Sequence, residues 1–449
     1  MGAPRHDLTT ARKAAGHTQE SLAEALGIDV KSVRNWENGT YRPDRLRQQR
    51  LANELGIPRR RLSILLTPEA ATNPSSYVNS DGDRAGVAGQ TGQNLPDTIP
   101  ELRNSEVIEV RRQEDISRPG RAAPSLVHAD IPILRRVLDS RDLPDDGPVR
   151  PLDELVPAVR AVVVQRMQSD YSALSAEVLK LLPELHRAIL AAPPGRKPQY
   201  AALLARAYRA ADAIADKFGY YDLSARIIDL LKDAALKSEE DLLIGSAEYV
   251  RGEIFFASED LDTGRRVLTA AADKIRVSAS ERAAATYGSL HMRAAVMAAR
   301  AGSALRARDH IEEAQQSARK VNEGVHLGTA FGAASVRIHR LSLAVEIGDV
   351  GAALRLASGW APPTTMPAER RSHFYIELGR AFHLADRPER VLSAFGAAKR
   401  IAPEHVCEHS QVIDVIDHLE LTTRGGTRDA FRRFAAGLVK PQGRNTFGL

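Results

Sequence analysis

Residues 18–39 hold two short helical stripes parted by a single glycine, and this arrangement restricts the fold more than any other feature of the sequence. Thr18 can cap the first helix, because its hydroxyl accepts a bond from an unpaired N–H of the first turn. Leu22, Ala23 and Leu26 then recur on one face at helical spacing. Gly27 follows, the residue best suited to a left-handed helix end. Asp29 can cap a second helix, Val33 and Trp36 give that helix an inward face, and Asn38-Gly39 ends it.

That inward face leaves Lys31, Ser32, Arg34 and Asn35 outside, a set rich in donors and free of carboxylates. A helix with such a face, held across its partner by a glycine turn, suits a DNA major groove. The residues Thr-Gln-Glu-x-Leu-Ala-x-x-Leu-Gly at 18–27 and Ser-Val-x-x-Trp-Glu-Asn-Gly at 32–39 resemble the helix-turn-helix of the phage-repressor or xenobiotic-response-element (XRE) family. The resemblance covers residues 1–66. It implies that Gln19, at the start of the first motif helix, binds a phosphate with help from the N–H groups there. Lys31, Ser32 and Asn35 are the expected base contacts, since lysine can donate to guanine O6/N7 and asparagine can pair with adenine N6/N7. Val30 would meet a thymine methyl, although the family usually carries a polar residue at that position. Arg34 and Asn38 are expected on the DNA backbone. One motif per chain covers one half-site, so a homodimer on a palindromic double-stranded operator is expected. The alternative is a helical bundle that uses the same turn for packing alone.

Charge agrees with this placement. The 449-residue chain carries a net +5, and residues 1–66 hold 12 Lys+Arg against 7 Asp+Glu, which is the whole of it. A basic module attracts a polyanion through counterion release; a neutral remainder points away from nucleic acid. The single cysteine, Cys407, excludes an internal disulfide and fits a reducing cytosol. No apolar run reaches the roughly 20 residues of a membrane helix, and the first residues lack the apolar stretch of a signal peptide. A cytoplasmic protein with no membrane contact is expected.

Along the chain, a first helix is expected over about Asp7–Ala15, with Arg12 and Lys13 exposed. After the motif, a helix from an Asp44 cap to Leu55 would leave Arg45, Arg47 and Arg50 outside, and a last helix would run to Leu66. Residues 67–124 are rich in Asn, Ser, Gly, Asp, Gln and Pro, as a flexible linker would be. Within them Val107–Arg112 reads equally as a strand or a short helix. From about Asp130 the chain reads as helical to its end, with a helix over 173–191 interrupted near Pro183.

Helix pairs then repeat. Around Leu378-Gly379, with Phe382, Phe395, Ala398 and Pro403, the pattern resembles a tetratricopeptide repeat. Gly379 would let its helix approach the next closely, with Phe382 and Phe395 filling the gap. Weaker copies centre on Gly252 and Ala295, and others surround Gly219 and Gly348. Their spacing of about forty residues exceeds the ~34 of a regular array. The fold class is therefore all-α: a small five-helix lambda-repressor-like DNA-binding domain (1–66), a flexible linker (67–124) and a tetratricopeptide-like α-superhelix (125–449). Such an array leaves a concave surface. Arg209, Tyr249, Glu253, Arg380 and His383 fall at its groove positions, where a peptide or protein effector would bind; taken singly, each reads as solvated.

No catalytic or cofactor motif is evident. His405 and His409 have metal-ligand spacing on a helix, but Cys407 points elsewhere and exposed histidines are the simpler reading. Gly425-Gly426-Thr427 reads as an interhelical turn, not a phosphate loop. Neither an enzyme nor a resident cofactor or metal is expected. The sequence thus reads as a DNA-binding transcription regulator of bacterial type, whose helical array mediates dimerisation and effector sensing. The rival is an interaction scaffold without specific DNA recognition.

Overall fold

The computed structural model describes residues 5–40, 42–43, 45–57, 59–66 and 126–438. Its architecture is all-α apart from one small hairpin, with two compact units. The expected linker over 67–124, its Val107–Arg112 island and the Asp44 cap lie outside the described residues.

The first unit contains α1 (His6–Ala14), α2 (Gln19–Leu26), α3 (Val30–Glu37), α4 (Arg45–Glu54) and α5 (Arg59–Leu65). Leu8, Leu22, Leu26, Val33, Trp36, Leu51, Leu55 and Leu62 bring their stripes into one core. Burial of each leucine is worth roughly 1.5–3 kcal/mol in transfer free energy. Thr18 Oγ1 accepts from Ser21 N at 3.0 Å, and Ser21 Oγ accepts from Thr18 N at 2.9 Å. This reciprocal cap fixes where α2 begins. Gly27, at φ +65°, ends it in the left-handed region. Asp29 Oδ1 accepts from Lys31 N at 2.9 Å and starts α3.

Three arginines differ from their sequence reading. Arg12 is buried, not exposed, because it lies on the same α1 face as Leu8 and meets Glu37 of α3. Arg47 is buried and Arg50 half-buried against the core side of α4, not outside. Burial, then Arg47, pulls the Arg50 pKa down.

The second unit begins with α6 (Leu126–Asp139), α7 (Leu152–Met167), α8 (Tyr171–Ala191), α9 (Lys197–Lys217) and α10 (Tyr221–Lys237). Then come α11 (Asp241–Ser258), α12 (Leu261–Ala272), α13 (Glu281–Arg300) and α14 (Ala304–Ala318). A hairpin of β1 (Gly324–His326) and β2 (Thr329–Phe331) interrupts the helices. It is followed by α15 (Ala333–Ile347), α16 (Val350–Ala357), α17 (Ala368–Leu384), α18 (Pro388–Ile401), α19 (Pro403–Cys407), α20 (Ser410–Thr422) and α21 (Gly425–Ala435).

From α9 to α18 the helices pack as consecutive pairs, α9 with α10 through α17 with α18. Close approach is bought with glycine: a Cβ on Gly379 would collide with the Phe395 ring, and one on Gly264 would lie 2.6 Å from Phe255 Cβ and 2.8 Å from Met297 Sδ. The odd-numbered members also form their own succession, in which α7, α9, α11, α13, α15 and α17 each touch the next. That succession closes, because α17 returns to α7. The return is fixed by Glu404, whose Oε2 accepts from Tyr171 N at 2.7 Å and Ser172 N at 3.0 Å, at the start of α8. The inner faces of these six helices therefore look at one another rather than at an open groove.

Three local expectations also change. The hairpin breaks the helical run, with Leu327 at φ +48° and Gly328 at φ +76° forming its two-residue turn. Phe331 anchors it in a notch left by Gly288 on α13, where any Cβ would collide with the ring. α8 runs unbroken through Pro183, whose missing N–H is outweighed by buried Leu181, Leu182 and Leu185. Gly425 to Thr427 form the first turn of α21, not a link between helices.

Candidate nucleic-acid interface

Helix α3 presents Lys31, Arg34, Asn35 and Asn38 at i, i+3, i+4 and i+7, which is one stripe of a helix. Lys31, Arg34 and Asn38 are exposed and Asn35 is half-buried; Ser32 lies beside them, also half-buried. The opposite face holds Val33 at 1 % and Trp36 at 2 % exposure, so α3 cannot rotate without emptying the core. Val30 is half-buried and packs on that core, which leaves only part of its side chain for a thymine methyl.

Beneath the stripe runs a chain of charge-assisted bonds. Arg12 Nε donates to Glu37 Oε1 at 2.7 Å, and Gln19 Nε2 donates to Glu37 Oε2 at 2.5 Å. Gln19 Oε1 in turn accepts from Arg34 Nε at 3.1 Å. Gln19 at the start of α2 is thereby locked to the exposed face of α3. Arg34 also reaches Glu20 at 3.5 Å, an exposed pair that costs little to release. The Glu20 carboxyl is held below its usual range, first by the backbone N–H of its own helix start. Arg5 Nη1 donates to the Trp36 carbonyl at 2.6 Å and Arg5 N to Glu37 O at 2.6 Å, which pins the end of α3.

Arg12 and Glu37 are positioning residues that the sequence reading missed. The signal was present: Leu8, Ala11, Arg12 and Ala15 share one helical face. An arginine on that face needs a buried acid, and Glu37 is the sole carboxylate of α3.

The five positions assigned to a groove are not solvated. Arg209, Tyr249, Arg380 and His383 are buried and Glu253 is half-buried, because the ring of inner helices closes over them. Three of them meet through α13. Arg293 Nη2 pairs with Glu253 at 2.8 Å while its Cζ lies 3.8 Å from the Tyr249 ring centre, and Arg209 Cζ lies 5.6 Å from that centre. Arg380 belongs to a separate network with Glu377 at 2.7 Å and Glu346 at 3.0 Å. His383 stands edge-on to His418.

His405 and His409 are likewise not exposed surface histidines. His405 is buried, its Nδ1 at 2.7 Å from Ser372 Oγ, and His409 is half-buried before α20. They do not share one helix, since α19 ends at Cys407. The Cys407 thiol turns away and donates to the Gly437 carbonyl at 3.0 Å. Among the described residues no group of three or more His, Cys, Asp or Glu side chains is arranged to hold a metal ion.

A helix-turn-helix family model matches residues 8–62, the span of α1 to the middle of α5. The N-terminal unit is an XRE-type helix-turn-helix domain followed by a long helical region. No curated protein and no solved structure matches the chain. Among the described residues no helix is long and apolar enough to cross a membrane.

Proposed function

We propose that the protein is a sequence-specific DNA-binding transcription regulator. The observation that carries this reading is the α3 stripe of Lys31, Arg34, Asn35 and Asn38, outward on a helix whose other face is locked in the core. Lys31 and Asn35, with Ser32, read base edges, and Val30 offers what it exposes to a thymine methyl. Gln19, Arg34 and Asn38 hold phosphates and set the register. The chain binds as a homodimer on a palindromic operator, because one such helix covers one half-site. The tetratricopeptide-like helical region dimerises the protein and senses an effector, a peptide or a protein, and the protein has no catalytic role.

Lys31→Ala and Asn35→Ala should each weaken operator binding by about 1–3 kcal/mol and relax base preference at one position. Fluorescence anisotropy on a selected operator and on random duplex measures both. An equal loss on the two duplexes would reject base readout and favour a scaffold whose basic unit is a mere dock.

A further inference from the structure

The closed ring of α7, α9, α11, α13, α15 and α17 encloses charges that only partly balance. Lys217 has Asp216 at 2.8 Å, Arg293 has Glu253 at 2.8 Å, and Arg300 shares Glu346 with Arg380 at 3.2 and 3.0 Å, while Arg380 also holds Glu377 at 2.7 Å. Arg166 has Glu369 at 3.9 Å and also donates to the Gly328 carbonyl. Two guanidiniums have no carboxylate at ion-pair distance among the described residues. Arg209 donates only to neutral oxygens: Ser246 Oγ at 2.7 Å, Leu327 O at 2.6 Å and Thr329 Oγ1 at 2.6 Å. Among the described residues Arg370 makes no side-chain hydrogen bond, and its Nε is buried without a partner. Burial would raise the Glu369 carboxyl, yet Arg166, Lys217, Arg370 and Arg209 together hold it below its ordinary range.

Enclosed charge is costly unless it is paired. The surplus shows in its neighbours. Burial would raise the Tyr249 phenol pKa, yet Arg293, Arg370 and Arg209 together pull it below its ordinary value. Burial, and after it the nearby Arg166, lowers Arg209 to about 9. The space is not sealed: Glu253 and Glu369 keep 24 % of their side-chain surface and His373 keeps 28 %.

We propose that the region between Arg209, Tyr249, Glu369 and Arg370 is a binding site for a small-molecule oxyanion, a phosphate or carboxylate group received by the free Arg370 guanidinium and the Tyr249 hydroxyl. The hairpin turn at Leu327-Gly328 forms one wall, because Arg209 and Arg166 grip its carbonyls. An anion there would complete the pairing that the chain leaves open. It would also tie α11 to α17 across the ring, so that occupancy would stiffen the array.

Calorimetric titration of the full-length protein with pyrophosphate and with citrate, at ionic strength matched by NaCl, tests the site. Saturable binding of at least one anion is expected, weakened about tenfold or more in Arg370→Gln, which loses a charge-assisted bond. Tyr249→Phe keeps the ring beneath Arg293 and should weaken binding several-fold, so the test survives if one variant misfolds. Lys31→Ala, in the other unit, should bind as wild type. Pyrophosphate alone would point to a phosphate ligand, and citrate alone to a carboxylate. The proposal is overturned if neither anion binds beyond the NaCl control, if Arg370→Gln and Tyr249→Phe bind as wild type, or if Lys31→Ala abolishes binding and so moves the anion onto the helix-turn-helix unit.

Discussion

The outward face of α3 and the inner face of the α7–α17 ring use similar residues to opposite ends. Residues 1–66 carry the whole formal surplus of +5, and Lys31 and Arg34 keep theirs in water, with Arg34 57 % exposed. Solvated charge costs little and stays available to a phosphate. The remainder of the chain sums to zero but encloses arginines, a lysine and four histidines within its ring. Neutrality over a stretch of sequence therefore says nothing about where its charges sit. Enclosed charges must find partners, and the titratable groups beside them must give way.

The largest expected effect follows from those histidines. Burial first, and then Arg370, holds His339 down at about 3. Burial, then Lys217 and Arg370, does the same for His405, also at about 3. His373 and His409 lie well below their ordinary value, again mainly through burial. In the unfolded chain each takes up a proton near pH 6.5, whereas the folded ring refuses it until far lower pH. The folded pKa is depressed, so stability is intact above about pH 6.5 and is lost as pH falls below it. Raised carboxyls in the same unit, Asp212 at about 8 and Glu408 at about 7, work the other way, since they gain stability as pH falls. The histidine share should therefore appear as a smaller loss between pH 7 and pH 5 in His339→Gln with His405→Gln than in wild type. Urea titrations followed by far-UV circular dichroism at the two pH values read this loss. The helix-turn-helix unit holds no buried histidine, so its own transition should move less. Equal sensitivity of the two units would break the contrast.

Next in size is the enclosed Arg12–Glu37 ion pair of the first unit. Glu37→Ala would leave Arg12 buried and unpaired, at a cost of about 3–5 kcal/mol. It would also free Gln19, and with it Arg34, so operator affinity should fall as well as the melting temperature of that unit. The double variant Arg12→Met with Glu37→Leu removes both charges and should recover most of the stability but not the positioning of Gln19. If the double variant binds its operator as wild type does, the network is packing alone.

How much of this could be read beforehand depends on range. Thr18, Gly27 and Asp29 act on residues within three positions of themselves, and they mark the ends of α2 and α3 where the sequence places them. Gly379 and Phe395 are likewise near neighbours in the chain and meet as expected. The hairpin lies between Gly324 and Gly332 with Leu327-Gly328 at its turn, a short signal inside an alanine-rich helical stretch. Arg12 was legible from its stripe. Ring closure was not, because Glu404 caps α8 from 232 residues away. The burial of Arg209 and Tyr249 follows from that closure, so no local pattern could have given it.

The smallest expected effect compares one conformation in the two units. Gly27 and Gly328 both sit at positive φ, +65° and +76°, where a Cβ costs about 1–2 kcal/mol. At Gly27 an added Cβ would meet nothing within 4 Å, so Gly27→Ala should show that backbone cost alone, with DNA affinity following only the folded fraction. At Gly328 the Cβ would stand 3.2 Å from Arg166 Nη2 and 3.4 Å from Arg209 Nη1, so two enclosed guanidiniums must also shift. Gly328→Ala should therefore cost somewhat more in urea denaturation than Gly27→Ala. It should also alter anion binding in the ring, which Gly27→Ala should not. Equal costs with unchanged anion binding would mean that the arginines of the ring yield as easily as side chains in water, and that the distinction between enclosed and solvated charge is weaker than the pairing geometry implies.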